Sequence, residues 1–258
     1  MNKGVLAIIQ ARMGSSRLPG KMTLPLIHGK GALELMVERV RRSKKIDKLI
    51  VATTVNPSDE ELVEICGKMN VDCFRGSEDD VLDRFYQAYA TAGMDFETIV
   101  RLTGDCPLHD PAVIDKVISE FLNSESDYVS NVDPPTYPDG LDTEVFSSAA
   151  LVKAWFEAKM KSEREHVTIF IRNRTDLFRK SNVRNSADLS SYRWTLDEES
   201  DYRMIKSVCE NLYDARKDFG MDDVLEFLGK HPEIDAINRK IARNEGLLKT
   251  LNEDKKVK

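Results

Sequence analysis

Three things are scarce in this 258-residue chain, and each scarcity excludes something. The four cysteines, Cys66, Cys73, Cys106 and Cys209, form no C-x-x-C pair and no zinc-finger spacing, so they read as free thiols in a reducing compartment. Long apolar runs are missing: the N-terminal region offers Lys3 and a six-residue apolar stretch, too short for a signal peptide or a membrane span. The expectation is a cytoplasmic protein with no membrane partner. Positive charge is also in deficit. The net charge is −6 and the pI about 5.4, which argues against a general nucleic-acid binder. There is no internal repeat, no low-complexity segment and no composition shift that would mark a linker.

What remains is an ordinary globular composition, 41% apolar and 32% charged, long enough to bury a substantial core. Its positive charge is gathered in one place. Residues 5–9 form a short apolar run of the kind a fully buried strand shows. After Gln10 and Ala11 comes a loop carrying Arg12, Gly14, Ser15, Arg17, Gly20 and Lys21. Arginine forks and a lysine point charge suit a polyphosphate, and backbone N–H groups in such a loop can form an anion-binding nest. The loop is not a Walker A motif: Gly14 to Gly20 is one residue too long, and Met22 follows Lys21 where a magnesium-ligating hydroxyl is required. Nor is it G-x-G-x-x-G.

Downstream, strand-like and helix-like segments alternate. Strands are expected at 48–54, 71–74, 98–102 and 127–130. Helices are expected at 31–40, at 59–69 with Ser58 as N-cap, from 81 on the stripe Val81, Leu82, Phe85, Ala88 and Tyr89, and from Pro111 on Val113, Ile114, Val117, Ile118 and Phe121. That alternation calls for a mostly parallel sheet covered on both faces, an α/β fold of one domain in three α/β/α layers. Such sheets bind ligands beyond the carboxyl ends of their strands, so the topology would bring the basic loop and the turn at Asp105 to one edge. The second half adds a Pro- and Asp-rich loop at 131–140, strands at 141–146 and 192–196, and helices at 147–160, 162–173, 198–213, 222–228 and 232–241. Residues 244–258 read as a charged, frayed tail beyond a domain at 1–243.

Two carboxylates stand at strand ends, Asp105 and Asp197. Magnesium takes one or two protein carboxylates and completes its shell with phosphate and water. Taken alone, each aspartate reads equally well as an N-cap or turn residue. Asp201 reads as a helix first-turn carboxylate sooner than as a third ligand. His166, on a helix, reads more readily as structural than catalytic, and His28, His109 and His231 as structural or exposed.

The tract R-M-G-S-S-R-L-P-G-K at 12–21 resembles the R-x-G-S-x-R-x-P-x-K signature of the sugar nucleotidyltransferases. It is most similar to the cytidylyltransferases that make CMP-activated acidic sugars and, among them, to the spore-coat-polysaccharide (SpsF-type) branch. The tract R-L-T-G-D-C-P-L at 101–108 resembles that family's metal turn, and T-L-D-E-E-S-D-Y at 195–202 its second acidic motif. P-D-G-L-D-T-E-V-F at 138–146 and E-R-E-H-V-T at 163–168 resemble signatures of the branch. The resemblance spans roughly residues 4–230. It implies a nucleotide-diphospho-sugar transferase-like fold, CTP and a 2-keto-3-deoxy sugar acid as substrates, Mg2+ on Asp105 and Asp197, and a homodimer. It also implies a triphosphate clamp of Arg12, Gly14, Ser15, Arg17 and Lys21, with Arg12, Lys21 and Asp105 the catalytic set. The base would be read at Gln10, Ala11 and the Arg75–Ser77 turn, and the sugar at Asp142, Glu144, Arg164 and His166. Members that activate Kdo or sialic acid share the opening and metal turns but not the 138–146 tract, so no sugar identity carries over. A glycosyltransferase on the same fold would use a ready-made nucleotide-sugar and release no pyrophosphate, and a non-catalytic nucleotide sensor would bind without turnover. The triphosphate-suited loop argues against the first and the retained pair of aspartates against the second.

Overall fold

A computed structural model describes residues 4–257 apart from Met94 and Asn244, and leaves aside the side chains of residues 245, 246, 248 and 249. Its centre is β1 (Val5–Gln10), whose first five residues are buried. The strand pairs in parallel with β2 (Lys48–Thr54) on one side and β4 (Thr98–Thr103) on the other, and β2 pairs in parallel with β3 (Asp72–Gly76). Beyond β4 the pattern changes. β6 (Glu144–Ser147) runs antiparallel between β4 and β5 (Tyr128–Ser130), and β7 (Lys180–Asn182) closes the far edge in parallel with β5. The sheet order is β3-β2-β1-β4-β6-β5-β7.

Strand side chains alternate between the two faces, so each face has its own core. Ala7, Ile9, Val51, Val100 and Leu102 pack under α1 (Ala32–Val40), α2 (Glu60–Lys68), α4 (Pro111–Asn123), α8 (Glu199–Leu212) and α9 (Met221–Lys230). Leu6, Ile8, Ile50, Ile99 and Phe146 pack under α3 (Val81–Thr91), α5 (Ser148–Glu157) and α7 (Ile169–Asn173). This is the expected three-layer α/β/α arrangement. Each such aliphatic side chain taken fully from water contributes about 1.5–3 kcal/mol, so the doubly covered centre is the rigid part of the molecule. Among the described residues no helix is long and apolar enough to cross a membrane.

Several local expectations are corrected. The stretch 192–196 is not a sheet strand. Arg193 makes a single bridge with Asp139, and the turn is stitched by Trp194 N to Asp139 O at 2.6 Å and Leu196 N to Asp105 O at 2.8 Å. Gly140 is required there: its φ is +107°, and a Cβ would lie 2.6 Å from the Trp194 carbonyl carbon. The helix expected at 162–173 is two helices, α6 (Lys161–Glu165) and α7, broken where Val167 has a φ of 52°. Helix α2 starts after a short 3-10 turn at Pro57–Asp59, because the Asp59 carboxylate is turned inward onto Thr53, Thr54 and Met13 instead of leaving Ser58 as the cap. The helix expected to reach 241 is α10 (Pro232–Asp235), followed by turns. The frayed tail is instead α11 (Glu245–Asn252) and an extended end packed against α6; Asn244 and Lys258, part of that expected tail, lie outside the described residues.

Candidate active site

β1 and β4 are neighbours in parallel register, Gln10 opposite Thr103, so the basic loop and the Asp105 turn leave the sheet side by side. Gly104 makes that approach possible: its N–H donates to Gln10 O at 2.8 Å, and a Cβ would stand 3.0 Å from that of Ala11. The basic loop is not loose. Leu18 and Met22 are buried in the core, and Met13 N donates to Asp59 Oδ1 at 2.9 Å. Burial works to raise the Asp59 pKa, but hydrogen bonds from Thr54, Met13 and Thr53 overcome it and hold the carboxyl below its ordinary range.

The loop ends in the central feature. Lys21 Nζ lies 2.7 Å from Asp105 Oδ2 and 2.7 Å from Asp197 Oδ1. Burial alone would lower the Lys21 pKa, yet the two carboxylates raise it; burial would raise Asp105, yet Lys21 lowers it. Lys21 and Asp105 are therefore each held in their charged form by the other. Asp197 is held from behind. Arg17 Nη2 approaches its Oδ2 at 3.0 Å and Arg193 Nη2 at 3.5 Å, while Asp201 accepts the Asp197 N–H at 3.0 Å. Asp201 is fully buried on Arg193, Asn238 and the first turn of α8, a structural carboxylate as its position suggested.

Arg17, Lys21, Asp105 and Asp197 line a cleft of about 1070 Å³. Gln10, Ala11, Arg12, Gly14, Ser15, Arg17 and Lys21 all line it, with Asp105, Asp197, Arg164 and His166. Arg12 reaches across to Glu78 at 3.3 Å. Arg75 and Ser77, expected at the base, do not line it. The Arg75 guanidinium is committed to Thr54 O, Asn56 O and Glu60, and Ser77 caps the turn by accepting the Asp80 N–H. The wall there is built instead by residues 78–81 and Arg84, which the sequence reading passed over. Arg84 is buried, donates to Ser77 O and leaves Nε without a partner among the described residues, and burial lowers its pKa to about 10.

A second cavity of about 280 Å³ opens beside the first and shares Arg17, Thr103, Asp105, His166 and Asp197 with it. Asp142 and Glu144 line it as expected. The Glu144 carboxylate is already occupied by Tyr128 Oη at 2.5 Å, Thr168 Oγ1 at 2.6 Å and Arg101. Burial pushes Glu144 up, and Arg101, Arg172 and these hydroxyls bring it below its ordinary value. Asp142 goes the other way: burial pushes it up to about 7 against the pull of Arg243. Arg164 is not on this cavity. Its guanidinium is buried on Asp80, at 2.6 and 3.0 Å, and on Trp155 O at 2.9 Å, so it braces α6. His166 stands on both cavities, its pKa lowered chiefly by burial and then by Arg101. The cation the cavity offers is Arg172. It faces Asp133 at 3.7 Å, and its guanidinium makes no hydrogen bond among the described residues. Arg101, Arg172 and Arg193 were missed by sequence reasoning. The one local signal was Arg101, a charge inside an otherwise apolar strand.

Among the described residues no group of three or more His, Cys, Asp or Glu side chains converges as a metal cage. Two carboxylates converging on one cation is a different donor set, and it fits magnesium, which draws its other ligands from phosphate and water.

A mostly parallel α/β/α sheet with a basic loop and paired carboxylates at its carboxyl edge defines a nucleotidyltransferase. The chain belongs to the cytidylyltransferase family, which matches residues 6–229. It is 39% identical to an uncharacterised protein of Methanocaldococcus jannaschii, over 92% of this chain and 95% of that one. It is 35% identical to the spore coat polysaccharide biosynthesis protein SpsF of Bacillus subtilis, over 89% and 95%. A solved cytidylyltransferase from Leptospira borgpetersenii superposes with a TM-score of 0.86 at 35% identity, covering 94% of this chain and all of that one.

Proposed function

We infer that this cytidylyltransferase transfers CMP from CTP to the anomeric hydroxyl of a sugar acid and releases pyrophosphate, supplying an activated sugar for a surface glycan. The observation that carries the reading is the Asp105–Lys21–Asp197 arrangement at the head of a cleft walled by Arg12 and Arg17. The larger cleft takes the nucleotide, with the triphosphate along the 11–21 loop. The smaller cavity takes the acceptor, and the shared residues Asp105, Asp197 and His166 mark where the two substrates meet.

The reaction is a displacement at the α-phosphorus: the acceptor hydroxyl oxygen bonds to phosphorus and gives up its proton to water as the bond to the bridging oxygen of pyrophosphate breaks. Arg12, Arg17 and Lys21 neutralise charge on the triphosphate and on the departing pyrophosphate. Asp105 and Asp197 are the residues that would hold magnesium, which supplies divalent charge to the phosphate oxygens when bound. Arg172 meets the acceptor's carboxylate, the role that the bracing of Arg164 leaves open. The scaffold fixes both substrates in line, and positioning carries much of the rate.

The test is pyrophosphate release across the four nucleoside triphosphates, with 3-deoxy-manno-octulosonate and N-acetylneuraminate as acceptors and magnesium present. Release with CTP and one acid is expected, falling about a hundredfold or more in Asp105→Asn. Full activity in that variant would overturn the assignment of Asp105. Release with no acid, or CTP hydrolysis without a sugar product, would overturn the acceptor class.

A further inference from the structure

One wall of the acceptor cavity comes from outside the family-matched residues. Ala242 and Leu247 line it, and Lys255 and Val257, farther along the same segment, line the mouth of the nucleotide cleft. Both ends of the segment are tied by directional contacts. At the inner end Arg193 Nη1 donates to Ala242 O at 3.4 Å, Arg243 Nη1 donates to Tyr137 O at 3.1 Å, and Arg243 Nη2 donates to Asp142 Oδ1. At the outer end Asp254 accepts from Ser162 N at 2.9 Å and Ser162 Oγ at 2.7 Å. Lys161 N donates to Lys255 O, and Val257 N to Lys159 O, each at 2.8 Å. Between the ends Thr250 Oγ1 donates to Glu165 Oε2 at 3.3 Å. The outer ties fall on α6 and the residues just before it, immediately ahead of His166. The segment therefore spans from the floor of one cavity to a helix on the wall of the other.

Resting on the cytidylyltransferase reading above, we propose that this C-terminal strap is the specificity wall of the acceptor site. Leu247 sets the size of acceptor that fits. Arg243 is a positioning residue, holding the strap and the 137–142 stretch against each other through Asp142 and Tyr137. It spends its donors on protein atoms, not on ligand. Without them, a carboxylate on the cavity wall loses its fixed partner and the wall loses its inner anchor. The nucleotide sits in the other cavity, along the 11–21 loop, which the strap does not touch through any of these contacts. Lys255 and Val257 reach the nucleotide cleft but Arg243 and Leu247 do not, so substitutions at these two should separate acceptor recognition from CTP recognition.

The experiment is steady-state pyrophosphate release from the full chain with 3-deoxy-manno-octulosonate and with N-acetylneuraminate, beside calorimetric titration of CTP. Arg243→Gln is expected to raise the acceptor KM on the order of tenfold or more, with CTP affinity within about twofold and partial recovery in Arg243→Lys. Leu247→Ala is expected to shift preference toward the bulkier N-acetylneuraminate by about tenfold, and Leu247→Trp to exclude both acids while CTP still binds. CTP binding in each variant shows that it is folded. Unchanged acceptor KM and preference across the set, with an active wild type, would overturn the proposal while leaving the reaction standing. CTP affinity falling in step with acceptor affinity would reduce the strap to a structural role and overturn it as well. No release by the wild type with either acid, with CTP bound normally, would remove the acceptor reading and this proposal together.

Discussion

Replacing Lys21 by methionine separates the two roles that its position combines. In the structure its ammonium sits 2.7 Å from each of two carboxylates, with about a tenth of the side chain exposed. Methionine keeps the bulk and removes the charge. Asp105 and Asp197 then face each other with Arg17 and Arg193 on the Asp197 side only. Breaking a buried ion pair from one side costs about 3–5 kcal/mol. For a chain of this size that corresponds to a fall in Tm of roughly 6–20 °C, measured in EDTA. Magnesium should act in the opposite direction. In the wild type it competes with an ammonium for the same two oxygens, whereas in the variant it meets an open carboxylate pair. At ten times its dissociation constant it would return about 1.4 kcal/mol of stability to the variant.

The pH signs are fixed by the same contacts. Asp105 has a depressed pKa, so its contribution is present above the ordinary aspartate range and is lost as pH falls through its folded value. Lys21 has a raised pKa, so its contribution is present below about 10.5 and is lost as pH rises through its folded value. The variant should lose both limbs. Thermal unfolding with and without magnesium, and calorimetric titration of magnesium, read these quantities without turnover. A variant with wild-type Tm in EDTA and no gain in magnesium affinity would refute the reasoning.

Two further perturbations test the frame around the site. His109 is fully buried, its Nε2 donates to Asp142 O at 3.2 Å with Thr143 Oγ1 3.4 Å away, and burial lowers its pKa to about 4. Its neutral form is favoured by folding, so stability should fall by up to about 3 kcal/mol as pH drops from 6.5 to 4. Chemical denaturation across that interval should show a slope that His109→Asn flattens; an unchanged slope would contradict the assignment. Gly140→Ala would put a Cβ 2.6 Å from the Trp194 backbone at a φ of +107°, and should cost at least about 2 kcal/mol, read as a fall in the denaturation midpoint. A midpoint within error of wild type would show that the 139–140 turn and the Arg193 stretch can part without penalty.

The amino-acid sequence by itself determined the central sheet and the chemistry brought to its edge. The runs that became β1, β2 and β4 are apolar because both faces of a parallel strand are covered, and the helix stripes of α1, α3 and α4 carry a 3.6-residue period. Both are short-range signals that need no knowledge of partners. The loop at 12–21 and the turn at Asp105 were legible for the same reason: each is a contiguous tract. Tertiary structure alone decided the rest. Lys21 lies 84 residues from Asp105 and 176 from Asp197, and nothing near any of them says that the lysine will neutralise the aspartates. The order of strands puts them together, and that order is chosen by which faces can be covered. The antiparallel β6 between β4 and β5 is likewise a pairing between distant segments. Arg164 read as a ligand-facing cation and became a brace on Asp80; Arg172, eight residues on, took the open position because α6 and α7 part at Val167. The tail read as frayed because its own composition cannot bury it, and it packs because Ser162 and Glu165 on another element bind it. Local composition sets what a segment prefers; the contacts it finds after the sheet has assembled set what it does.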